Sequence, residues 1–224
     1  MLKCVLQFNN NQERAMSKAL LQINASLFSD AGVSSTLVNR FVAGWKDGHP
    51  GAAVISRDLA KEPVPHLTAE RFQAFITPVE KRDANQRAEV AYSDALIEEV
   101  KRADTIVLGV PMYNFDVPST LKAYFDHIAR AGVTFRYTAN GPEGLLKGKT
   151  VYVFASRGGM YAGKPFDTQT GYLKNLLGLL GITDVRFVYA EGIAISAESK
   201  QAALANAQDE VARLLATVNE KAAA

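Results

Sequence analysis

The stretch Thr105-Ile106-Val107-Leu108-Gly109-Val110-Pro111-Met112-Tyr113-Asn114-Phe115 decides how this chain folds. Its first six residues are an apolar run rich in β-branched side chains, the pattern of a strand buried on both faces. A helical pattern follows over residues 119–130. Between strand and helix sit a proline and two aromatics around Asn114, an arrangement costly to keep for packing alone. In an open α/β sheet, ligands bind just outside the carboxyl ends of the strands. Pro111 to Phe115 is therefore the expected place for a site, and its side chains suit a flat aromatic ligand.

Outward from this strand, apolar runs alternate with amphipathic stripes. Further strands are expected at residues 19–24, 53–56, 150–155 and 185–190. Leu37, Phe41 and Trp45, with Val38 and Val42, make one helical stripe. Val90, Ile97 and Val100 make a second; Leu121, Phe125 and Ile128 a third; Leu204, Val211, Leu215 and Val218 the last. Residues 168–180 are apolar nearly all round toward their end, which predicts a well-buried helix. Five strands with helices between them indicate a doubly wound parallel α/β sheet. Right-handed crossovers then place helices on both faces. The flavodoxin-like order 2-1-3-4-5 is the expected one, with its switch point between strands 1 and 3. Residues 59–85, with Pro63, Pro65, Pro78 and a weak helical piece near 69–75, read as an excursion. Long connections of this kind are functional, assembly-related or plain surface loop.

Composition narrows the function classes. A length of 224 residues suits one domain, and 48% hydrophobic with 21% charged residues is enough to bury a core. The net charge of +2 and the scattered basic residues argue against nucleic acid. No run of 18 apolar residues is present, so no membrane-spanning helix is expected. The single cysteine, Cys4, excludes an internal disulfide and a cysteine metal site, which fits a cytoplasmic location. Residues 1–15 hold three consecutive asparagines, and their apolar part is too short for a secretion signal. They read as a disordered extension, with an edge strand at 4–8 as the alternative, before a domain spanning 16–220.

Three strand-end loops are candidates for one site. The first carries Ser26 and then Gly32, Val33, Ser34 and Ser35 ahead of the Leu37 stripe. A helix N-terminus offers free N–H groups and partial positive charge, so a phosphate could bind there without lysine. An ordinary serine N-cap is the competing reading. Neither G-x-G-x-x-G nor a Walker A loop is present. The second loop is Met112, Tyr113, Asn114 and Phe115. The third is Ser156, Arg157, Gly158 and Gly159, where paired glycines permit close backbone approach or simply a tight turn. Phosphate chemistry, aromatic faces and exposed amides together suggest a phosphorylated flat heterocycle, for which FMN is the economical choice. Arg157 is read either as meeting such a cofactor or as a surface residue.

Several blocks carry a more specific likeness. They are Pro111 to Phe115; Arg130-Ala131-Gly132-Val133-Thr134-Phe135-Arg136-Tyr137-Thr138; Asn140-Gly141-Pro142-Glu143-Gly144-Leu145; Ser156 to Gly159; and Gly181-Ile182-Thr183-Asp184-Val185. With these the chain resembles the FMN-dependent NADH-azoreductases, or NADH:quinone oxidoreductases, from Met16 to about residue 215. The resemblance implies that Ser26, Gly32, Val33 and Ser34 hold the FMN phosphate. It implies that Met112, Tyr113, Asn114 and Phe115 lie along the isoalloxazine ring, and that Ser156, Arg157, Gly158 and Gly159 meet its pyrimidine end. Tyr137 and Phe115 are implied at the substrate. It further implies a homodimer with one FMN per subunit, two interface sites and NADH as donor. Two departures stand out. Gly32-Val33-Ser34 replaces the Ser-Gln-Ser often found at the phosphate turn, and Leu176 replaces an aromatic sometimes found in the late helix.

The expected chemistry is a ping-pong hydride relay from NADH to quinones or azo compounds, carried by flavin N5 with no catalytic side chain and no metal. The alternative is a flavodoxin-type electron carrier. Such carriers are usually strongly acidic, which a net charge of +2 is not. A hydrolase is disfavoured, because His49, His66 and His127 have no metal-ligand spacing and no G-x-S-x-G elbow occurs. Glu80 to Asp83 read as a solvated charge cluster.

Overall fold

In the computed structural model, residues 18–223 are described. The expected extension at 1–15 and its alternative strand at 4–8 lie outside them. The strands are β1 (Ala19–Asn24), β2 (Ala53–Asp58), β3 (Thr105–Pro111), β4 (Phe135–Thr138), β5 (Gly141–Gly144), β6 (Thr150–Arg157) and β7 (Asp184–Glu191). The helices are α1 (Val33–Gly48), α2 (Ala69–Ile76), α3 (Ala84–Arg102), α4 (Ser119–Ile128), α5 (Thr168–Leu179) and α6 (Ala197–Ala223).

Five strands form one parallel sheet in the order β2-β1-β3-β6-β7. With the hairpin β4–β5 set aside, this is the order 2-1-3-4-5 expected from the apolar runs. Successive side chains on a strand point to opposite faces, and two cores result. Leu21, Ile23, Ile106, Leu108, Val151 and Val153 enter one core with Ile97, Phe125 and Leu177 of α3, α4 and α5. Leu20, Val107, Tyr152 and Phe154 enter the other with Phe41, Trp45 and Val211 of α1 and α6. Trp45, Phe41, Phe125 and Phe154 are among the largest fully buried side chains. Each such burial contributes on the order of 1.5–3 kcal/mol, so these few residues anchor the sandwich.

Two sequence expectations need correction, and one element was not expected. Helix α5 is buried on one stripe only, through Gln169, Leu173 and Leu177, while Gly171, Lys174, Asn175 and Gly178 are exposed. Its leucines are therefore half of an amphipathic pattern that two glycines blur. The helix expected over 119–130 stops at Ile128. There Thr134 Oγ1 donates to the Ile128 carbonyl at 2.6 Å and turns the chain into the hairpin. Residues 135–144, quoted above only as a family block, form that antiparallel hairpin. The excursion carries α2 as expected, and His127 Nε2 lies 3.0 Å from the Pro65 carbonyl at its base. Asp83 belongs to a capping box with Gln86 at the start of α3, and Glu80 and Lys81 are exposed.

Candidate functional site

All three candidate loops leave the carboxyl ends of β1, β3 and β6. At the first, Ser26 is buried and its Oγ accepts from the Phe28 N–H at 3.2 Å. The N-cap of α1 is Gly32, with no side-chain cap hydrogen bond. This overturns the serine N-cap reading. Gly32 is required by space, because a Cβ there would lie 2.1 Å from Ser26 Oγ. In the first turn, Ser34 and Ser35 are fully buried and both hydroxyls lack a partner, as does Asn24 Oδ1 at the end of β1. Buried polar groups are normally satisfied. A helix start with free N–H groups and no side-chain cap has the chemistry that suits an anion. The phosphate of a mononucleotide fits it.

At the second loop, Met112 N–H donates to the Ser156 carbonyl at 2.8 Å, tying this loop to the third. Tyr113 and Asp116 exchange backbone hydrogen bonds of 3.1 Å in both directions. The two residues between them have positive φ, +50° at Asn114 and +69° at Phe115. That is the signature of a type I′ turn, which favours Asn-Gly. Phenylalanine at such a φ is a strained choice. The Phe115 ring is half exposed and meets Tyr161 edge-on, with centroids 5.6 Å apart.

At the third loop, Arg157 is 1% exposed, so the surface reading for it is overturned. Its guanidinium meets Gln169 Oε1 at 3.2 Å, Glu191 at 3.1 Å, and Asp167 and Thr170 at 2.9 Å each. It also lies 4.6 Å from the Tyr189 ring centroid. Every side-chain nitrogen is thus committed to protein partners. Burial alone would raise the Asp167 carboxyl, but hydrogen bonds from Arg157 and Thr170 outweigh it and hold it below the ordinary carboxylate value. Glu191 Oε1 accepts from the Tyr161 and Ala162 N–H groups at 2.8 Å each, fixing the segment after Gly158 and Gly159. A Cβ at Gly159 would come within 2.8 Å of the Tyr161 hydroxyl.

An open groove of about 820 Å³ runs along the second loop. Its lining includes Leu27 of the first loop, Met112, Tyr113 and Asn114 of the second, and Ser119 and Lys122 of α4. The volume falls in the range typical of small-ligand sites. Tyr137 is not brought to it. That residue stands 77% exposed on β4 and lines a second groove, of about 280 Å³, with Phe72, Phe75 and Arg130. None of the three histidines lines the first groove. His49 stacks on Trp45, His66 is exposed, and His127 is buried between Phe75 and Tyr92, with its pKa lowered by that burial.

Sequence reasoning missed Gln169, which joins the second and third loops, and Asp167, Thr168 and Glu191, which each hold one of them. Only Asp167 left a local trace, as an acidic N-cap accepting from Thr170 N–H at 3.0 Å. The others are 12 to 58 residues away from what they hold.

Comparison with known proteins bears on the fold and the family. Residues 18–215 match a family model described as the flavodoxin-like fold. An FMN-dependent NADH:quinone oxidoreductase of Cellvibrio japonicus is 56% identical over 197 residues, covering 88% of this chain and 98% of that protein. A second from Burkholderia lata is 53% identical over 193 residues, covering 86% and 98%. Among solved structures, an azoreductase from Bacillus anthracis superposes with a TM-score of 0.81 at 27% identity, covering 88% and 98%. An FMN-dependent NADH-azoreductase of the same species, solved in complex with FMN, gives 0.78 at 28% identity, covering 88% and 99%. The chain belongs to the FMN-dependent NADH:quinone oxidoreductase and azoreductase family of flavodoxin-like proteins.

Proposed function

We propose that this protein is an FMN-dependent oxidoreductase that uses NADH to reduce quinones and azo compounds by a ping-pong mechanism. The observation that carries the proposal is the uncapped start of α1, whose free N–H groups suit an anion. Those N–H groups, which follow Gly32, hold the phosphate with Ser26 and Ser34. Val33 takes part through its backbone. Met112, Tyr113, Asn114 and Phe115 bed the ring along the groove. Ser156, Gly158 and Gly159 face its polar edge with backbone, and Arg157 acts through the side chains it fixes. Bound FMN supplies the two-electron chemistry. The chain's own residues bind and orient it, and no side chain is assigned as acid or base.

Homodimerisation is part of the same proposal. Phe28, Phe166 and Tyr137 are 71%, 64% and 77% exposed, aromatic side chains that a second subunit would cover. Tyr137, outside the first groove, and Phe115 are then offered to substrate where two subunits meet. A cytoplasmic site of action fits a single cysteine, and no helix among the described residues is long and apolar enough to cross a membrane.

Steady-state NADH oxidation with menadione tests the reading. Turnover with parallel double-reciprocal lines is expected. NADH oxidation that proceeds only with a partner protein would favour the electron carrier instead.

A further inference from the structure

The turn at Asn114 and Phe115 is held from outside by the start of α5. Gln169 is fully buried and has one acceptor end and one donor end. Arg157 Nε can only donate, so Gln169 Oε1 faces it at 3.2 Å. Gln169 Nε2 must then face carbonyls, and it does: Pro111 O at 3.1 Å and Asp116 O at 3.3 Å. These two carbonyls stand on either side of the positive-φ pair. Next to it, Thr168 Oγ1 donates to the Phe115 carbonyl between them. Arg157 is itself pinned by Asp167, Thr170 and Glu191. One buried amide, oriented by one buried cation, therefore grips both ends of a backbone turn whose positive φ Phe115 would otherwise avoid.

We propose that Gln169, oriented by Arg157 and aided by Thr168, is a positioning residue that keeps the Asn114–Phe115 turn in its left-handed conformation and so sets FMN affinity. This inference rests on the flavin reading of the site. Gln169 is not itself in the groove lining, and its one hydrogen bond to a lining residue is to the Asp116 carbonyl at the end of the turn, so its effect on flavin passes through the turn.

The test uses the full chain stripped of flavin and titrated with FMN by fluorescence, with apoprotein melting followed in parallel. Gln169→Met keeps the volume and removes the hydrogen bonds. FMN binding should weaken about tenfold, as expected for two lost hydrogen bonds of modest net strength. Thr168→Ala, at an exposed residue that a fold defect would spare, should weaken it about threefold for one such bond. Phe115→Gly supplies the decisive background, because glycine adopts positive φ without strain. In that background both losses should shrink to less than about twofold if the roles are coupled through the turn. A general packing role would give the same fold loss in both backgrounds.

Equal FMN affinity of Gln169→Met and the unsubstituted protein would overturn the inference alone, as would losses that multiply unchanged with Phe115→Gly. If Gln169→Met fails to fold, Thr168→Ala decides by the same comparison. Failure of the unsubstituted protein to bind FMN would instead remove the functional reading and this inference with it.

Discussion

The two sides of the site are built in opposite ways. At the end of β1, buried polar groups are left open: Ser34 Oγ, Ser35 Oγ and Asn24 Oδ1 have no partner, and α1 starts without a side-chain cap. At the ends of β3 and β6, buried polar groups are closed on one another. Arg157 reaches four side chains, and Gln169 bridges it to two backbone carbonyls. Leaving a buried group unsatisfied costs about 1–3 kcal/mol, and an anion on the free N–H groups of α1 is the partner this side would gain from a ligand. The closed side needs none, and its role is to hold a strained turn in place. On the proposed reading, the phosphate seat and the held ring bed thus lie on different loops of one sheet edge.

The sharpest way to break the closed side is to remove its cation. Arg157→Met leaves Asp167 and Glu191 facing each other's vicinity without a counter-charge. Destabilisation of about 3–5 kcal/mol is expected, as for a broken buried ion pair. Urea unfolding of the apoprotein measures it, and a change under about 1 kcal/mol, the worth of a surface pair, would show that the network is not structural.

The next effect separates backbone from side chain at the turn. Proline fixes φ near −65°, whereas Asn114 sits at +50°. Asn114→Pro should therefore weaken FMN binding far more than Phe115→Leu, which leaves the backbone free. Equal affinities in a flavin titration of the two variants would contradict the backbone account.

On the open side, the signs should reverse. Ser34→Ala removes an unpartnered buried hydroxyl, so the apoprotein should be as stable as before or more so, by up to about 1 kcal/mol. FMN affinity should fall by roughly fivefold, the worth of about 1 kcal/mol. Loss of apoprotein stability together with unchanged FMN affinity would reverse the assignment of the two sides.

The smallest effect is in pH. Burial pushes the Asp167 carboxyl up, and hydrogen bonds from Arg157 and Thr170 pull it further down, below the ordinary 3.8. A lowered folded-state value means the unfolded chain binds the proton more readily, so stability rises with pH across that interval. The contribution of Asp167 is complete above 3.8 and is lost as pH falls through its lower folded value. Carboxyl titration by NMR should place Asp167 below 3.8; a value above it would mean the Arg157 contact is weak in solution.

Legibility in the sequence follows the range of the interactions. β1 begins and ends at the residues its apolar run defines, and the other sheet strands begin within one residue of theirs. Burial on both faces writes itself into consecutive residues. The hairpin β4–β5 was not legible as structure, since it has only four residues per strand and its Arg136, Tyr137 and Thr138 are exposed. Asn140-Gly141 at its turn was the available signal. The open side was half legible: Ser26 and Ser34 could be named, but their role as caps or as ligands depended on Gly32 occupying the cap. The closed side was the least legible. Arg157 could be named, yet Gln169 and Glu191 carry no local motif, and only the folded sheet brings them to it.

The central claim is that this sheet edge holds a flavin that NADH can reduce. Anaerobic addition of NADH to the FMN-loaded protein, followed by menadione, tests it most directly. The account predicts that NADH bleaches the yellow flavin absorbance and that menadione restores it without any protein partner. A flavin that stays yellow under excess NADH would contradict it.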